Sequence, residues 1–318
     1  VAISIFTVCW YWSSSINAVA TQQLFGQFVN VMPISLALIL TSSQLVVGST
    51  LSIIIVFGMV KLGFTDESVY QNQSWFSRSD VIIGFLHYVG CLCTNIGFVY
   101  GSASLVQVIK LLEPIETLIL AMLVHNDCRT IHEVVSLRQV FGTLVIIGGT
   151  SMLLGQNLMD LNSRLIVAAL ASGFCMSSRN VLKKSAAASK GVHKNLLPKM
   201  TQPLANYTAC IDVFMKGMIS FSSITILAAI SAIFFILPTM TIGSISSQIM
   251  SSFFENPGQA FTKAVFFHCF HNIASITVLS MTSALVHSLL NVGKRIVNVL
   301  AGKLEHYLFY ILLALFAC

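Results

Sequence analysis

Residues 32–60 read MPISLALILTSSQLVVGSTLSIIIVFGMV, and not one charged side chain interrupts them. About 20 consecutive apolar residues carry a helix across a hydrocarbon core, so this stretch alone is long enough to cross a bilayer. The runs from Val140 to Gln156 and from Gly217 to Ser252 are similar in character. Over the whole chain of 318 residues, 56% are hydrophobic and 9% are charged, and the mean hydropathy is +0.85. A soluble domain carries about a quarter charged residues. A water-soluble globule of this composition would have almost nothing with which to cover its surface, so membrane spans are the default reading.

Taking Gly, Pro and charged clusters as punctuation, the chain divides into about ten spans, near 3–22, 32–60, 81–100, 104–124, 139–155, 163–181, 209–237, 261–279, 283–301 and 305–318. With that count, every second connection and both termini share one side of the membrane. That side receives Lys61, Arg78, Arg129, Arg138, Arg179, Lys183, Lys184, Lys190, Lys194 and Lys199, whereas the other receives little beyond Arg164, Lys263 and Lys303. By the positive-inside tendency both termini face the cytosol or its equivalent. The segment 182–204, with its lysines and no acid, reads as a basic central linker beside anionic headgroups.

Eight cysteines are scattered, mostly inside apolar runs, which excludes a disulfide framework of the secreted kind. Cys91 and Cys93 lack the partner ligands of a zinc site. The sequons at Asn72 and Asn206 are too short a pattern to carry weight. The chain starts at Val1 without a methionine, which is expected of a trimmed form.

A division near residue 160 makes two units, 1–160 and 161–318, of about five spans each. An odd number of spans inverts the second unit relative to the first, a common design in alternating-access carriers. A faint internal echo agrees. Thr94-Asn95-Ile96 followed by Ser104-Leu105-Val106-Gln107 resembles His271-Asn272-Ile273 followed by Ala284-Leu285-Val286-His287. The expected fold is therefore an all-α integral membrane protein of about ten transmembrane helices, built as two inverted five-helix repeats.

Charge inside a span is the informative exception, because it costs about 3 kcal/mol at the bilayer centre even on the lenient insertion scale. Lys110 lies about two turns into the fourth span, and Lys294 and Arg295 lie about three turns into the ninth. Two plainer explanations exist: Lys110 pairs with Glu113 one turn on, or the ninth span ends early and both its cations snorkel to the interface. Otherwise three cations face a water-filled cavity, which suits a phosphate dianion, with Lys as point charges and Arg as a fork. Pro114 removes a backbone hydrogen bond and should bend the fourth span. Gly293 should let the ninth approach a neighbour closely.

These stretches resemble the triose-phosphate/phosphate translocator family of the drug/metabolite transporter superfamily. His287 to Arg295, HSLLNVGKR, is similar to the family's THSVGNCVKR segment. Thr94-Asn95 with Val108 to Pro114, VIKLLEP, resembles its LTN…HVIKALEP stretch. Arg179-Asn180 with Lys183-Lys184 resembles RNxxxKK, one residue shorter. The resemblance covers most of the chain and implies an antiporter with ten helices. Its cargo would be phosphorylated three- to six-carbon metabolites, of the triose phosphate, 3-phosphoglycerate and phosphoenolpyruvate class, exchanged for inorganic phosphate across a plastid or plastid-derived envelope membrane. It also implies a substrate-binding set of Thr94, Lys110, Lys294 and Arg295, with Thr94 as a hydroxyl donor, and it brings His271 to the pocket. His268 and His287 are expected to be structural. Departures fall at Cys91 and Gln107, where the family has His, and at His271, where it has Tyr.

Other readings stay open at this stage. A nucleotide-sugar transporter of the Golgi or endoplasmic reticulum shares the superfamily architecture. An enzyme would need a nucleophile, metal cluster or acid/base pair, and no HExxH or GxSxG pattern occurs. No catalytic residue, cofactor, metal or nucleic-acid partner is expected, and the lipid bilayer is. The sequence leaves the oligomeric state open.

Overall fold

The computed structural model describes residues 2–27, 33–63, 78–124, 141–142, 145, 148–149, 162–189, 203–242 and 258–301. The expected tenth span, most of the fifth and the central part of the basic linker lie outside the described residues. The helices are α1 (Ala2–Gln27), α2 (Pro33–Lys61), α3 (Arg78–Tyr100), α4 (Ala103–Ile109), α5 (Glu113–Val124), α6 (Ser163–Ser189), α7 (Pro203–Ile242), α8 (Gln259–Met281) and α9 (Ala284–Ala301). A 3-10 turn, Lys110–Leu112, joins α4 to α5. Among the described residues, five segments are long and apolar enough to cross a membrane: Ile34–Lys61, Arg78–Tyr100, Ser163–Ala186, Gly217–Ile236 and Gln259–Met281.

The distribution of polarity is that of a protein in lipid. Large apolar side chains such as Phe57, Phe174, Phe234, Phe266 and Ile296 point outward, while Ser, Thr, Asn and Gln side chains are buried between helices. In α9 the polar residues His287, Asn291, Arg295 and Asn298 recur every three or four positions, Ser288 stands beside the first, and all five are buried, so its polar stripe faces inward. Helices bury no apolar surface from lipid by associating, so contacts between them rest on close packing and hydrogen bonds. Asn95 Nδ2 donates to Thr41 Oγ1 at 2.8 Å and to Gln44 Oε1 at 3.0 Å, and Gln44 Nε2 donates to the Ala264 carbonyl at 3.2 Å. These bonds tie α3 to α2 and α2 to α8.

Two apolar clusters mark the ends of the bundle. At one end Phe98, Ala103 and Leu105 pack with Ala260, Ala264, Leu165 and Leu24. At the other, Ile83 packs with Ile224 and Ile276. The end of α3 thus lies level with the start of α8, and the two helices run antiparallel. Each is followed by the same kind of joint. Ser102 Oγ accepts from the Leu105 N–H and Ser283 Oγ from the Val286 N–H, both at 3.2 Å, so a serine caps the helix that follows. The two joints stand at opposite ends of the bundle.

Three local expectations change. Helix α6 continues to Ser189, so Lys183 and Lys184 are helical rather than part of a linker starting at 182, and Lys184 Nζ donates to the Ser280 carbonyl at 3.4 Å. Helix α9 runs unbroken through Lys294 and Arg295, and Arg295 is 3% exposed, which rules out snorkelling from a short span. Ahead of Pro114 the chain tightens rather than simply bending. Proline has no N–H for the Lys110 carbonyl, and the Glu113 N–H takes that acceptor in 3-10 fashion.

Candidate functional site

The inward stripe of α9 meets the break between α4 and α5 at mid-bundle, and a polar cavity opens there. It is lined by Lys110, Glu113, Arg179, His271, Lys294 and Arg295 among others, from α1, α3, α4, α5, α6, α8 and α9. Its volume is about 80 Å³. One water needs roughly 10–15 Å³ of such volume, so a handful of waters or a group of phosphate size fits.

Lys110 enters the cavity because the 3-10 turn begins with it. Its ammonium donates to Thr94 Oγ1 and to Ser172 Oγ, each at 2.8 Å. Both hydroxyls in turn reach the Gly90 carbonyl, at 2.9 Å from Thr94 and 2.8 Å from Ser172. With its proton on that carbonyl, Thr94 offers Lys110 a lone pair. Thr94 therefore orients Lys110 in this state rather than donating into the cavity. An ammonium has three donors, and two are accounted for here.

Glu113 does not pair with Lys110. Its carboxylate takes Arg295 Nη2 on Oε2 and Asn291 Nδ2 on Oε1, the latter at 2.7 Å. Arg295 Nη1 also donates to Gln107 Oε1 at 3.1 Å, so Gln107, one of the departures from the resemblance, supports the guanidinium. Arg295 Nε is buried without a partner among the described residues. Lys294, half-buried, holds its ammonium 5.0 Å from the centre of the Trp10 ring, a cation–π contact. Gly293 makes room there, since a Cβ on it would stand 2.6 Å from Tyr11 Oη. Tyr11 Oη donates to the Leu290 carbonyl, which ties α1 to α9.

Sequence reasoning assigned Arg179 to the basic membrane face; the structure has it buried on the cavity wall. It donates from Nη2 to Asn180 Oδ1 and from Nη1 to His87 Nδ1, both at 2.8 Å. Ser172 was missed as well. A serine inside a span is too common to single out, whereas Arg179 did carry a signal, a charge just within the limit of the sixth span and part of the RN pair of the resemblance. His268, expected to be structural, lines the cavity, and its Nε2 lies 3.8 Å from Cys91 Sγ. Where the resemblance has a histidine on α3, this chain has a thiol facing an imidazole from α8. His271 lines the cavity too, whereas His287 stacks on Trp10 and bonds Ser275 at 3.0 Å.

Lys110, Arg179, Lys294 and Arg295 therefore face one carboxylate, Glu113, among the described lining residues. A polar, partly desolvated cavity with that balance attracts an anion carrying more than one charge. No group of three or more His, Cys, Asp or Glu side chains that could hold a metal ion occurs among the described residues. The sequence model described as the Triose-phosphate Transporter family matches residues 1–304. Among curated proteins none matches the chain.

Proposed function

The chain belongs to the Triose-phosphate Transporter family, and from that premise we propose that it exchanges small phosphorylated metabolites for inorganic phosphate by alternating access. Members of this family are membrane-embedded transporters, so the protein is a multi-pass membrane transporter of phosphate-linked metabolites or sugars. The finer reading rests on one observation: Lys110 from the α4 end and Lys294 with Arg295 from α9 converge on one cavity whose nearest counter-charge is Glu113.

In the proposed cycle a phosphate dianion accepts from Lys110 and Lys294 and from the unpartnered Arg295 Nε. Arg179 faces the organic part of the cargo. Glu113 serves as an internal counter-ion that neutralises Arg295 when the cavity is empty, while the other cations stay uncompensated. Their burial is least costly with an anion bound, which favours closure of the loaded cavity and hence obligatory exchange. Rocking of two inverted repeats about this cavity would present it to each side in turn. The antiparallel run of α3 and α8 and their matching serine-capped joints support that arrangement. A plastid or plastid-derived envelope is the proposed membrane.

The test is labelled phosphate uptake into proteoliposomes loaded with phosphate, triose phosphate, 3-phosphoglycerate, phosphoenolpyruvate or a nucleotide sugar. Exchange with the first four and none with the nucleotide sugar is expected. Nucleotide-sugar exchange in their place would reassign the carrier, and net phosphate efflux at the exchange rate would rule out strict antiport. Lys294→Gln and Arg295→Gln should each abolish exchange; wild-type rates in both would refute the site.

A further inference from the structure

The cavity wall is rich in donors, yet two acceptors on it lack one. Asn291 uses its amide nitrogen on Glu113, which assigns its other atom as the carbonyl oxygen Oδ1. That oxygen is buried and has no partner among the described residues. His271 Nδ1 lies 3.2 Å from the Phe267 carbonyl oxygen. A carbonyl can only accept, so the neutral ring carries its proton on Nδ1 and presents a bare lone pair at Nε2. No described group bonds that nitrogen, and both residues line the cavity.

Buried polar atoms are nearly always paired, and an orphaned acceptor beside a ligand cavity is one that the ligand can complete. The fully ionised phosphate of an ester cargo cannot do so, because it brings only acceptors and is drawn to the cations. A hydroxyl group brings the missing proton. We propose that His271 Nε2 accepts from a hydroxyl on the organic part of the cargo, with Asn291 Oδ1 left as the acceptor for a second donor where the cargo has one, so that the carrier favours hydroxyl-bearing phosphate esters over esters without one, such as phosphoenolpyruvate, which it exchanges more slowly. The proposal rests on the reading of this cavity as a phosphate-ester site. His271 is then a specificity residue, and its occurrence where the resemblance has Tyr replaces a group that both donates and accepts with one that only accepts.

A matched pair of substrates tests it: 3-phosphoglycerate and 3-phosphooxypropionate, which differ by one hydroxyl. Each is loaded into proteoliposomes and exchanged against labelled phosphate, with rates divided by the same protein's phosphate homo-exchange. The wild type is expected to favour 3-phosphoglycerate about tenfold, the usual effect of leaving a buried acceptor unpaired. His271→Phe should bring that ratio towards one, and His271→Gln, which restores an acceptor oxygen, should keep most of it. Equal exchange of the two esters by the wild type, or an unchanged ratio in His271→Phe, overturns the proposal. Should His271→Phe fail to fold, the thermal shift of the wild type in detergent decides: a larger shift with 3-phosphoglycerate supports hydroxyl reading and equal shifts overturn it. Absence of phosphate homo-exchange in the wild type would instead overturn the phosphate reading, and hydroxyl selection with it.

Discussion

At the scale of single residues, the decisive fact is which carboxylate answers which cation. Glu113 is one turn from Lys110 in sequence, yet it bonds Arg295, 182 positions away. Removing one partner of a buried ion pair costs about 3–5 kcal/mol, because the other charge is left uncompensated, whereas neutralising both is far milder. Glu113→Gln is therefore expected to lower the thermal stability of the detergent-solubilised protein by an amount of that order, and Glu113→Gln with Arg295→Gln to recover most of it while remaining inactive in exchange. A Glu113→Gln protein as stable as the wild type would show that this pair does not neutralise Arg295. Ser172→Ala removes a bond to an ammonium, worth about 1.5–3 kcal/mol for a charged partner. It should weaken phosphate affinity by loosening Lys110 and leave the protein inserted; unaltered affinity in a competition assay would count against that positioning role.

At the scale of elements, α4 and α9 differ despite their matching caps. Aligning Ser102 with Ser283 sets Lys110 level with Asn291 and Glu113 level with Lys294, a register one residue away from the echo read between Leu105 and Leu285. The 3-10 turn ahead of Pro114 then aims Lys110 into the cavity, while α9 stays regular and presents its cations by helical periodicity alone. Helix spacing is set by glycines at a few crossings. A Cβ on Gly84 of α3 would lie 2.6 Å from the Leu227 Cβ and 3.2 Å from the Ile224 carbonyl on α7, whereas one on Gly58 of α2 would meet nothing within 4 Å. Gly84→Ala should lower the melting temperature by several degrees because backbone must move. Gly58→Ala should be neutral or mildly stabilising, by about 0.5–1 kcal/mol from helix propensity. Equal melting temperatures for the two variants would contradict the close α3–α7 approach.

At the scale of the whole molecule, charge and direction agree. Lys61, Arg78, Lys183 and Lys184 lie at the end of the bundle that bears the Ser283 joint, and Arg164 and Lys263 at the end that bears the Ser102 joint. An inverted-repeat carrier exposes these joints to opposite compartments. In a cysteine-free background that retains exchange, Ser102→Cys and Ser283→Cys should react with a membrane-impermeant maleimide from opposite sides; labelling from the same side would refute inversion. The sequence by itself determined the membrane class, the limits of most described helices to within a few residues, the family, and that Lys110, Lys294 and Arg295 interrupt apolar stretches. These are properties of runs along one dimension: the length of an apolar stretch, or a charge that interrupts it. Only the tertiary structure decided that Glu113 answers Arg295, that Ser172 and Thr94 hold Lys110, that Arg179 belongs to the cavity, and that His271 presents an acceptor. Those depend on which faces of distant helices meet, and on where a proton sits once a backbone carbonyl has claimed one ring nitrogen.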